Sequence, residues 1–222
     1  EHLVLGVQPH RTADEVGGDY YDVLQNGNNL KIGIGAVTGH GLESGVLMLM
    51  VQSIARALQE AGEMDPAKFL TDLNRAIFKN IERTRTDKHL TLSFLDYDGK
   101  RLTISGQHED MIIIRQDGKV ERIDTGDLGL PVGLEPDIAP FIDTREIAFE
   151  KGDMVVLHTD GVTEAENSKG ELFGFDRLLE DARRLHGGTA EEVVEGILDD
   201  LMAYIGTQKI HDDITLVVMR HR

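Results

Sequence analysis

The order of two hydrophobic periodicities along the chain is the feature that most constrains its fold. Apolar residues first recur with period two, as Leu30, Ile32 and Ile34 do, and this spacing is typical of half-buried strands. Helical spacing then replaces the period of two. A second group of strands follows, and after it the helical spacing returns. The predicted helices are Leu42–Ala61, a stretch opening at Pro66, Phe175–Leu185 and a stretch opening at Thr189. Strands and helices in separate blocks indicate an α+β fold rather than alternating βαβ units.

Short turn motifs place hairpins between the predicted strands. The run Asn26–Asn29 joins two strands, and Asp98-Gly99 and Asp117-Gly118 each separate two apolar stretches. Two such hairpins in succession predict an antiparallel meander. Met154–Leu157 is apolar throughout, which favours a central strand, and Ile214–Met219 is the last predicted strand.

The excess of acidic over basic side chains argues against some classes of binding partner. The 222 residues include 40 acidic and 23 basic side chains, a formal net charge of −17. This sign argues against nucleic-acid binding, which needs a basic face, and against docking on an anionic membrane surface. Most of the acids are expected to be solvated surface. The chain has no cysteine, which excludes disulfides, zinc–thiolate sites and a cysteine nucleophile.

The organisation of the sequence is simple. No repeat, low-complexity tract or linker-like segment interrupts it, so residues 1–222 are predicted to form one domain. No apolar run approaches the ~18 residues of a membrane-spanning helix, and no signal peptide is recognisable. Because the sequence begins Glu1-His2 without Met, we interpret it as a piece of a longer protein. We expect this piece to be a cytoplasmic domain. A membrane anchor elsewhere in the full-length protein stays open.

Carboxylates occur at three predicted strand ends. Asp19 follows two glycines before the second strand, Asp160 follows the apolar strand, and Asp212 and Asp213 precede the last strand. Loops at the ends of packed strands can converge, and three or four carboxylates so placed would suit hard cations, which take oxygen ligands. The alternative interpretation is turn chemistry, because Asp beside Gly is common in turns.

A glycine-rich segment, Val37–Leu42, joins a predicted strand to a predicted helix. The amino end of a helix favours an anion, which makes Gly39, His40 and Gly41 candidate contacts. A tight strand-to-helix turn without a ligand is the alternative.

Four segments taken together resemble the SpoIIE-type bacterial Ser/Thr phosphatases of the metal-dependent PPM (protein phosphatase 2C-like) superfamily. They are Gly17–Asp22, Gly35–Gly41, Thr159–Ala165 and Asp212–Leu216, with Gly129–Leu134 and Gly170–Gly174 between them in the matching order. The resemblance implies a four-layer αββα sandwich of two antiparallel sheets flanked by helix pairs. It also implies hydrolysis of phosphoserine or phosphothreonine with two Mn²⁺ or Mg²⁺ ions.

The resemblance assigns catalytic, metal-binding roles to matching residues. Asp160 and Asp212 match metal ligands, and Asp19 matches a carboxylate that supports the metals directly or through water. The backbone carbonyl of Val37 matches a further ligand, and Asp213 matches the less certain second acid of the pair. Two hard cations lower the pKa of a water and offset phosphoryl charge, so no nucleophilic side chain is needed.

The phosphate contacts implied by the resemblance are less specific than the metal ligands. Gly39, His40 and Gly41 are candidates, and His40 could act as an acid toward the leaving group, although a role in shaping the turn is favoured. Arg11, which precedes Asp19 in the sequence, is a further candidate. Solvated surface is the alternative for this arginine.

The chain departs from the resemblance at Ala36, where members of the family have Asp. That Asp would bridge both metal ions, and an alanine side chain offers no oxygen. We therefore predict that at least one metal is lost or weakly held and that hydrolysis falls drastically. Two explanations stay open. One is an engineered inactivating substitution, which the intact Asp19, Asp160 and Asp212 favour; the other is a native pseudophosphatase.

The implied function is the phosphatase output domain of a signalling protein with upstream sensor domains. Its substrate would be a small phosphorylated regulatory protein, similar to the STAS-type anti-sigma-factor antagonists of partner-switching systems. The alternative is a phosphoprotein-binding module that captures such a partner without turnover, which Ala36 favours. A homodimer is also compatible with the resemblance. A second departure, Ser105–Asp110, puts the transferred partner preference in doubt.

Overall fold

The computed structural model describes residues 3–10, 17–27, 29–39 and 41–222. Arg11 and His40, two of the candidate phosphate contacts, lie outside the described residues. The strands in chain order are β1 (Leu3–His10), β2 (Asp19–Asn26), β3 (Asn29–Val37), β4 (Leu90–Tyr97), β5 (Arg101–Gln107), β6 (Met111–Ile114), β7 (Val120–Ile123), β8 (Thr144–Ala148), β9 (Met154–His158) and β10 (Ile214–His221). The helices are α1 (Leu42–Glu60), α2 (Pro66–Thr84), α3 (Asp160–Thr163), α4 (Phe175–Leu185) and α5 (Ala190–Ile205), with a 3₁₀ turn at Ala139–Phe141.

Within the described ranges, the strands form two five-stranded sheets in which each pairing is antiparallel. The fold is therefore α+β, as the sequence predicts. The chain divides into two compact units. The terminal unit holds β1, β6, β7, β9, β10 and α3–α5, and the central unit holds β2–β5, β8, α1 and α2.

In the terminal unit the strand order is β1-β10-β9-β6-β7, so β9 is central, as its apolar sequence predicts. All five residues of β9 are buried. Helix α5 begins at a capping box, in which the Thr189 side chain accepts from the Glu192 N–H and Glu192 accepts from the Thr189 N–H. The core between sheet and helices includes Ile112, Val156, Leu216, Leu178, Val193 and Ile197.

In the central unit the strand order is β2-β3-β4-β5-β8. Helix α2 begins at Asp65, whose side chain accepts from the Lys68 N–H at 2.7 Å, and Pro66 occupies the first helical position. The core between the sheet and the helices is built from Tyr20, Phe94, Leu92, Val51, Phe69 and Leu73. This packing leaves the other face of the sheet, which carries Ile32 and Ile34, on the side away from α1 and α2.

The predicted meander is wrong, although both of its hairpins form. Asp98-Gly99 joins β4 to β5 in one sheet, and Asp117-Gly118 joins β6 to β7 in the other. The chain passes from the central to the terminal unit between His108 and Glu109. Instead of pairing with β6, β5 pairs with β8, a strand that the sequence analysis did not predict. In the described part of the chain, no helix is long and apolar enough to cross a membrane.

A buried ion pair links β3 and β4 beneath the helices of the central unit. Lys31 and Asp96 are cross-strand partners, and the ammonium lies 2.6 Å from Asp96 Oδ1. It also lies 4.4 Å from the centroid of the Phe69 ring, a cation–π contact. Burial raises the pKa of the Asp96 carboxyl, and Lys31 opposes that rise. The Lys31 side chain is 1% exposed and that of Asp96 is 19% exposed, so only the carboxylate has access to water.

This difference in exposure predicts unequal effects of removing the two partners. The Asp96→Ala substitution leaves a fully buried ammonium unpaired and should lower the free energy of unfolding by about 3–5 kcal/mol. The Lys31→Met substitution keeps the apolar stem and leaves a carboxylate that reaches water, so it should cost clearly less. Urea denaturation of both variants checks this expectation. Equal losses, or a larger loss for Lys31→Met, would contradict it.

Candidate functional site

The pairing of β2 with β3 brings the first two predicted site positions together. Asp19 and Ala36 are directly opposite in the register, and cross-strand partners project from the same face of a sheet. This is the face away from α1 and α2, because Tyr20 on the other face belongs to the core beneath the helices. The position of the expected bridging Asp thus lies beside Asp19, but its methyl group supplies no donor.

A close backbone approach fixes the end of these strands. The Val37 N–H donates to the Gly18 carbonyl at 3.1 Å. A Cβ added to Gly18 would lie 3.2 Å from the Val37 carbonyl oxygen and 3.3 Å from that of Gly39. Two main-chain oxygens therefore point toward Gly18, immediately before Asp19. The Val37 carbonyl, predicted as a main-chain metal ligand, lies at the same strand end as Asp19 and Ala36.

The loop after β3 is held by side chains from two other segments. Thr38 N–H and its hydroxyl both donate to the His89 carbonyl, at 2.9 and 3.1 Å. The buried Ser44 hydroxyl donates to the Gly39 carbonyl at 3.0 Å, and Lys88 Nζ donates to the Thr38 carbonyl at 2.8 Å. The loop is thus built by contacts with α1 and with the segment before β4.

Two predicted metal ligands lie at neighbouring strand ends of the terminal unit. Asp160 follows β9 and begins α3, while Asp212 precedes β10. The Thr159 N–H donates to the Thr215 carbonyl at 3.1 Å, which holds the two strand ends together. A Cβ on Gly161 would lie 1.9 Å from the Asp213 carbonyl oxygen, so only glycine permits this approach.

Asp160 lies within electrostatic reach of other carboxylates. Burial raises the pKa of the Asp160 carboxyl, and the charges of Asp212 and Glu164 raise it further. Burial likewise raises the pKa of Glu109, with further contributions from Asp160, Asp110 and Glu164. This part of the terminal unit therefore concentrates negative charge. A hard cation would relieve that repulsion.

A cleft of about 240 Å³ opens beside these carboxylates. Its lining includes Gly161, Glu164, Ile205, Ile210 and Asp212. Because Asp212 lines the cleft, this predicted ligand is accessible from solvent. The neighbouring Asp213 is buried, and its N–H donates to Asp212 Oδ1 at 2.8 Å. The role of Asp213 as a second acid stays a prediction.

The predicted oxygen ligands are of the chemical kind that the expected metal ions take, but there are fewer of them than the family resemblance implies. Carboxylates and main-chain carbonyls are the oxygen ligands that Mn²⁺ and Mg²⁺ take. Each unit contributes part of the predicted set: Asp19 and Val37 in one, Asp160 and Asp212 in the other. The described residues contain no group of three or more His, Cys, Asp or Glu arranged to hold a metal ion. Ala36 leaves the set one bridging carboxylate short.

The structure also identifies residues that sequence reasoning missed. Glu109 lies within the electrostatic reach of Asp160, and the only sequence indication was the departure of Ser105–Asp110 from the family pattern. Lys88 contacts the loop after β3 without belonging to any motif. His108 was not missed, because it lies in the departing segment Ser105–Asp110; its ring Nδ1 lies 2.8 Å from the Thr91 hydroxyl, and its N–H donates to the Thr125 hydroxyl.

Comparison with solved structures defines the fold as that of PP2C-type domains. The SiaA-PP2C domain of Pseudomonas aeruginosa superimposes with a TM-score of 0.81 at 22% identity, covering 100% of this chain and 86% of that chain. The catalytic domain of the serine/threonine protein phosphatase PstP, solved in complex with two manganese ions, gives a TM-score of 0.68 at 16% identity. That match covers 99% of this chain and 98% of the PstP chain.

Residues 26–222 match the family described as Stage II sporulation protein E (SpoIIE). The protein therefore belongs to the SpoIIE family. The phosphoserine phosphatase RsbU of Bacillus subtilis (strain 168) is 29% identical over 216 residues, which is 95% of this chain. The chain spans 61% of the length of RsbU.

The repulsion around Asp160 has a consequence for stability. The folded-state pKa of this carboxyl lies above its unfolded value, so the ionised form costs stability at neutral pH, and the cost disappears as pH falls through the folded pKa. The Asp160→Asn substitution should therefore raise the melting temperature at pH 7 in the presence of EDTA, and this gain should shrink toward pH 4. Thermal denaturation at several pH values measures it.

The matched control is Asp199→Asn, which removes the same charge from an exposed position on α5. This control should change the melting temperature little at either pH. A drop in melting temperature for Asp160→Asn, or a gain no larger than that of the control, would contradict the expected repulsion.

Proposed function

We propose that the chain is a metal-dependent protein Ser/Thr phosphatase domain, inactivated in this sequence by Ala36. The observation that carries the proposal is the position of Asp160 at the end of β9 and Asp212 just before β10, two strand ends joined by the Thr159–Thr215 hydrogen bond, with Asp212 and Glu164 lining one cleft. Charge of this kind at two fixed strand ends suits hard cations. The similarity to the phosphoserine phosphatase RsbU supports the same reaction class.

The residues that would hold the metals are Asp160 and Asp212 in the terminal unit and Asp19 and the Val37 carbonyl in the central unit. Mn²⁺ and Mg²⁺ are the expected ions, and PstP, a neighbour in fold, was solved with manganese. Such ions, when bound, acidify water and offset the charge of the phosphoryl oxygens. The chain itself contributes strand ends held by backbone hydrogen bonds, from Thr159 to Thr215 and from Val37 to Gly18, which position the backbone beside the oxygen donors.

Ala36 explains why this sequence would be inactive while retaining the fold. Alanine fits at its position in β3, where it pairs with Asp19. The same substitution removes the one carboxylate that would offset repulsion between two cations. An engineered substitution remains the favoured origin, because Asp19, Asp160 and Asp212 are intact; a native pseudophosphatase is the alternative.

The proposed setting is partner switching, with residues 1–222 acting as one output domain downstream of sensor domains. The substrate would be a small STAS-type regulatory protein that is phosphorylated on Ser or Thr. The second candidate function is a binding module that captures the phosphorylated partner without turnover. The observation that favours this second function is again Ala36, because it leaves the strand pairing intact while removing a metal donor.

Reversion of the substitution tests the proposal. The Ala36→Asp variant with Mn²⁺ should hydrolyse p-nitrophenyl phosphate, or the phosphorylated protein encoded beside this gene, with a rate more than about 100-fold that of the parent. The reason is that the bridging carboxylate restores the second cation. Phosphate release with and without EDTA measures the effect.

The same variant distinguishes the two functions. Titration calorimetry with phosphorylated and unphosphorylated partner should show phosphate-dependent binding in either case, but only a phosphatase releases phosphate. An Ala36→Asn variant, which lacks the negative charge, should not restore turnover. If Ala36→Asp gives no metal-dependent hydrolysis, the phosphatase proposal is wrong.

A further inference from the structure

The side chain of one lysine, Lys88, contacts the glycine-rich loop of the central unit, although no sequence motif includes this lysine. Lys88 lies in the segment between α2 and β4, and its Nζ donates to the Thr38 carbonyl at 2.8 Å. A Cβ added to Gly39 would lie only 2.6 Å from this Nζ. The ammonium therefore lies against Gly39 itself, at a place that a larger residue would fill.

The position of Lys88 is fixed by its backbone neighbours. The β3–β4 ladder runs to the Val37–Leu90 pair and is extended by Thr38 and His89. The Thr38 N–H donates to the His89 carbonyl, and the His89 N–H donates to the Thr38 hydroxyl at 3.2 Å. A lysine immediately before His89 is thus carried to the loop by the sheet. Its side chain is half-buried, so its motion is restricted while its charge remains accessible.

The loop also has the backbone shape that leaves room for a ligand beside the ammonium. Gly39 and Gly41 have φ values of +69° and +93°, which side chains other than glycine adopt only with strain. Among the described residues other than its chain neighbours, none has a heavy atom within 4 Å of a Cβ placed on Gly41. An ammonium has three N–H donors, and the Thr38 carbonyl accepts one of them.

We propose that Lys88 binds the phosphoryl group of the substrate, with its remaining N–H donors directed to phosphoryl oxygens beside Gly39. The inference rests on the proposed function, since it assigns a substrate contact within the same site. An ammonium is a compact point charge that suits phosphate. Lys88 transfers no proton; it neutralises ligand charge and holds the phosphoryl group against the loop.

The proposal has a specific consequence for a chain with Ala36. Metal ions and Lys88 both attract the phosphoryl group, and Ala36 weakens only the metals. The protein as it exists therefore keeps phosphate-dependent binding through Lys88. If Lys88 only tied down the Thr38 carbonyl, its replacement by Met would leave any preference for a phosphorylated ligand in place.

The first experiment measures binding by the protein as it exists. Titration calorimetry compares a phosphoserine peptide with the same peptide carrying serine, for the parent and for Lys88→Met and Lys88→Arg. The parent should prefer the phosphopeptide. Lys88→Met should lose at least about tenfold of that preference, the effect of one charge-assisted hydrogen bond, and Lys88→Arg should retain most of it.

Two matched variants test whether an effect of Lys88→Met comes from the loss of a ligand contact. One controls for the loss of a positive charge, and the other controls for a weakened loop. Lys100→Met removes a lysine charge at an exposed position in the Asp98-Gly99 turn, at the other end of β4, and should leave the preference unchanged. Ser44→Ala removes the side-chain hydrogen bond to the Gly39 carbonyl, next to the Thr38 carbonyl that Lys88 contacts. It should lower the melting temperature while keeping the preference for the phosphopeptide.

The second experiment uses the Ala36→Asp background with Mn²⁺ and p-nitrophenyl phosphate. Adding Lys88→Met should raise KM by about tenfold or more, with a smaller change in kcat, because the lost contact already exists in the bound substrate. If Ala36→Asp shows no turnover at all, the proposed phosphatase function fails, and the binding experiment alone decides the role of Lys88.

The outcomes that overturn the inference are specific. A parent chain with no preference for the phosphopeptide contradicts it. So does a Lys88→Met variant that keeps the preference, or one whose loss is matched by Lys100→Met. In the active background, an unchanged KM for Lys88→Met excludes the contact even when the phosphatase function holds.

Discussion

Close approach of two backbones at strand ends is the constraint on which the site depends. Gly161 lies so near the Asp213 carbonyl that a Cβ would be 1.9 Å from its oxygen, and at Gly18 the approach is looser, with a Cβ 3.2 Å from the Val37 carbonyl oxygen. The glycines beside the acids thus permit packing instead of forming turns. The Gly161 contact fixes the backbone beside Asp160, at the end of β9. The charge of Asp212 raises the pKa of the Asp160 carboxyl there, and a hard cation would offset that repulsion.

The parts of the fold that local sequence determines were predictable. The hairpins at Asp98-Gly99 and Asp117-Gly118 and the helix Phe175–Leu185 form as expected. The meander failed because a turn motif specifies which two strands adjoin it but carries no information about which sheet receives them. The strand Thr144–Ala148 was missed because it is a short edge strand with four exposed residues, so it shows no hydrophobic alternation.

The residues of the candidate site also fall into two groups, those that sequence motifs identified and those that only the folded structure brings together. Motifs identify residues whose chemistry is tied to a short run of sequence, and so Asp19 and Ala36 were expected to matter together before their pairing was known. Lys88 was invisible to that reasoning, because its contact with Thr38 joins positions 50 residues apart and depends on the β3–β4 register. Glu109 is similar, since its proximity to Asp160 arises from the fold of the terminal unit.

In the proposed function, Ala36 in place of the family's Asp would change two properties in opposite directions. It would weaken cation binding, because a bridging donor is missing, and it would also remove a negative charge that repels a phosphorylated ligand. The pairing of Ala36 with Asp19 shows that β3 keeps its register, so the loop that follows keeps its contacts with Ser44 and Lys88. A chain with these properties would be suited to hold a phosphorylated partner that it does not hydrolyse. Substrate trapping by an engineered variant and capture by a native binding module therefore require the same physical arrangement, and only turnover after restoration of the acid separates them.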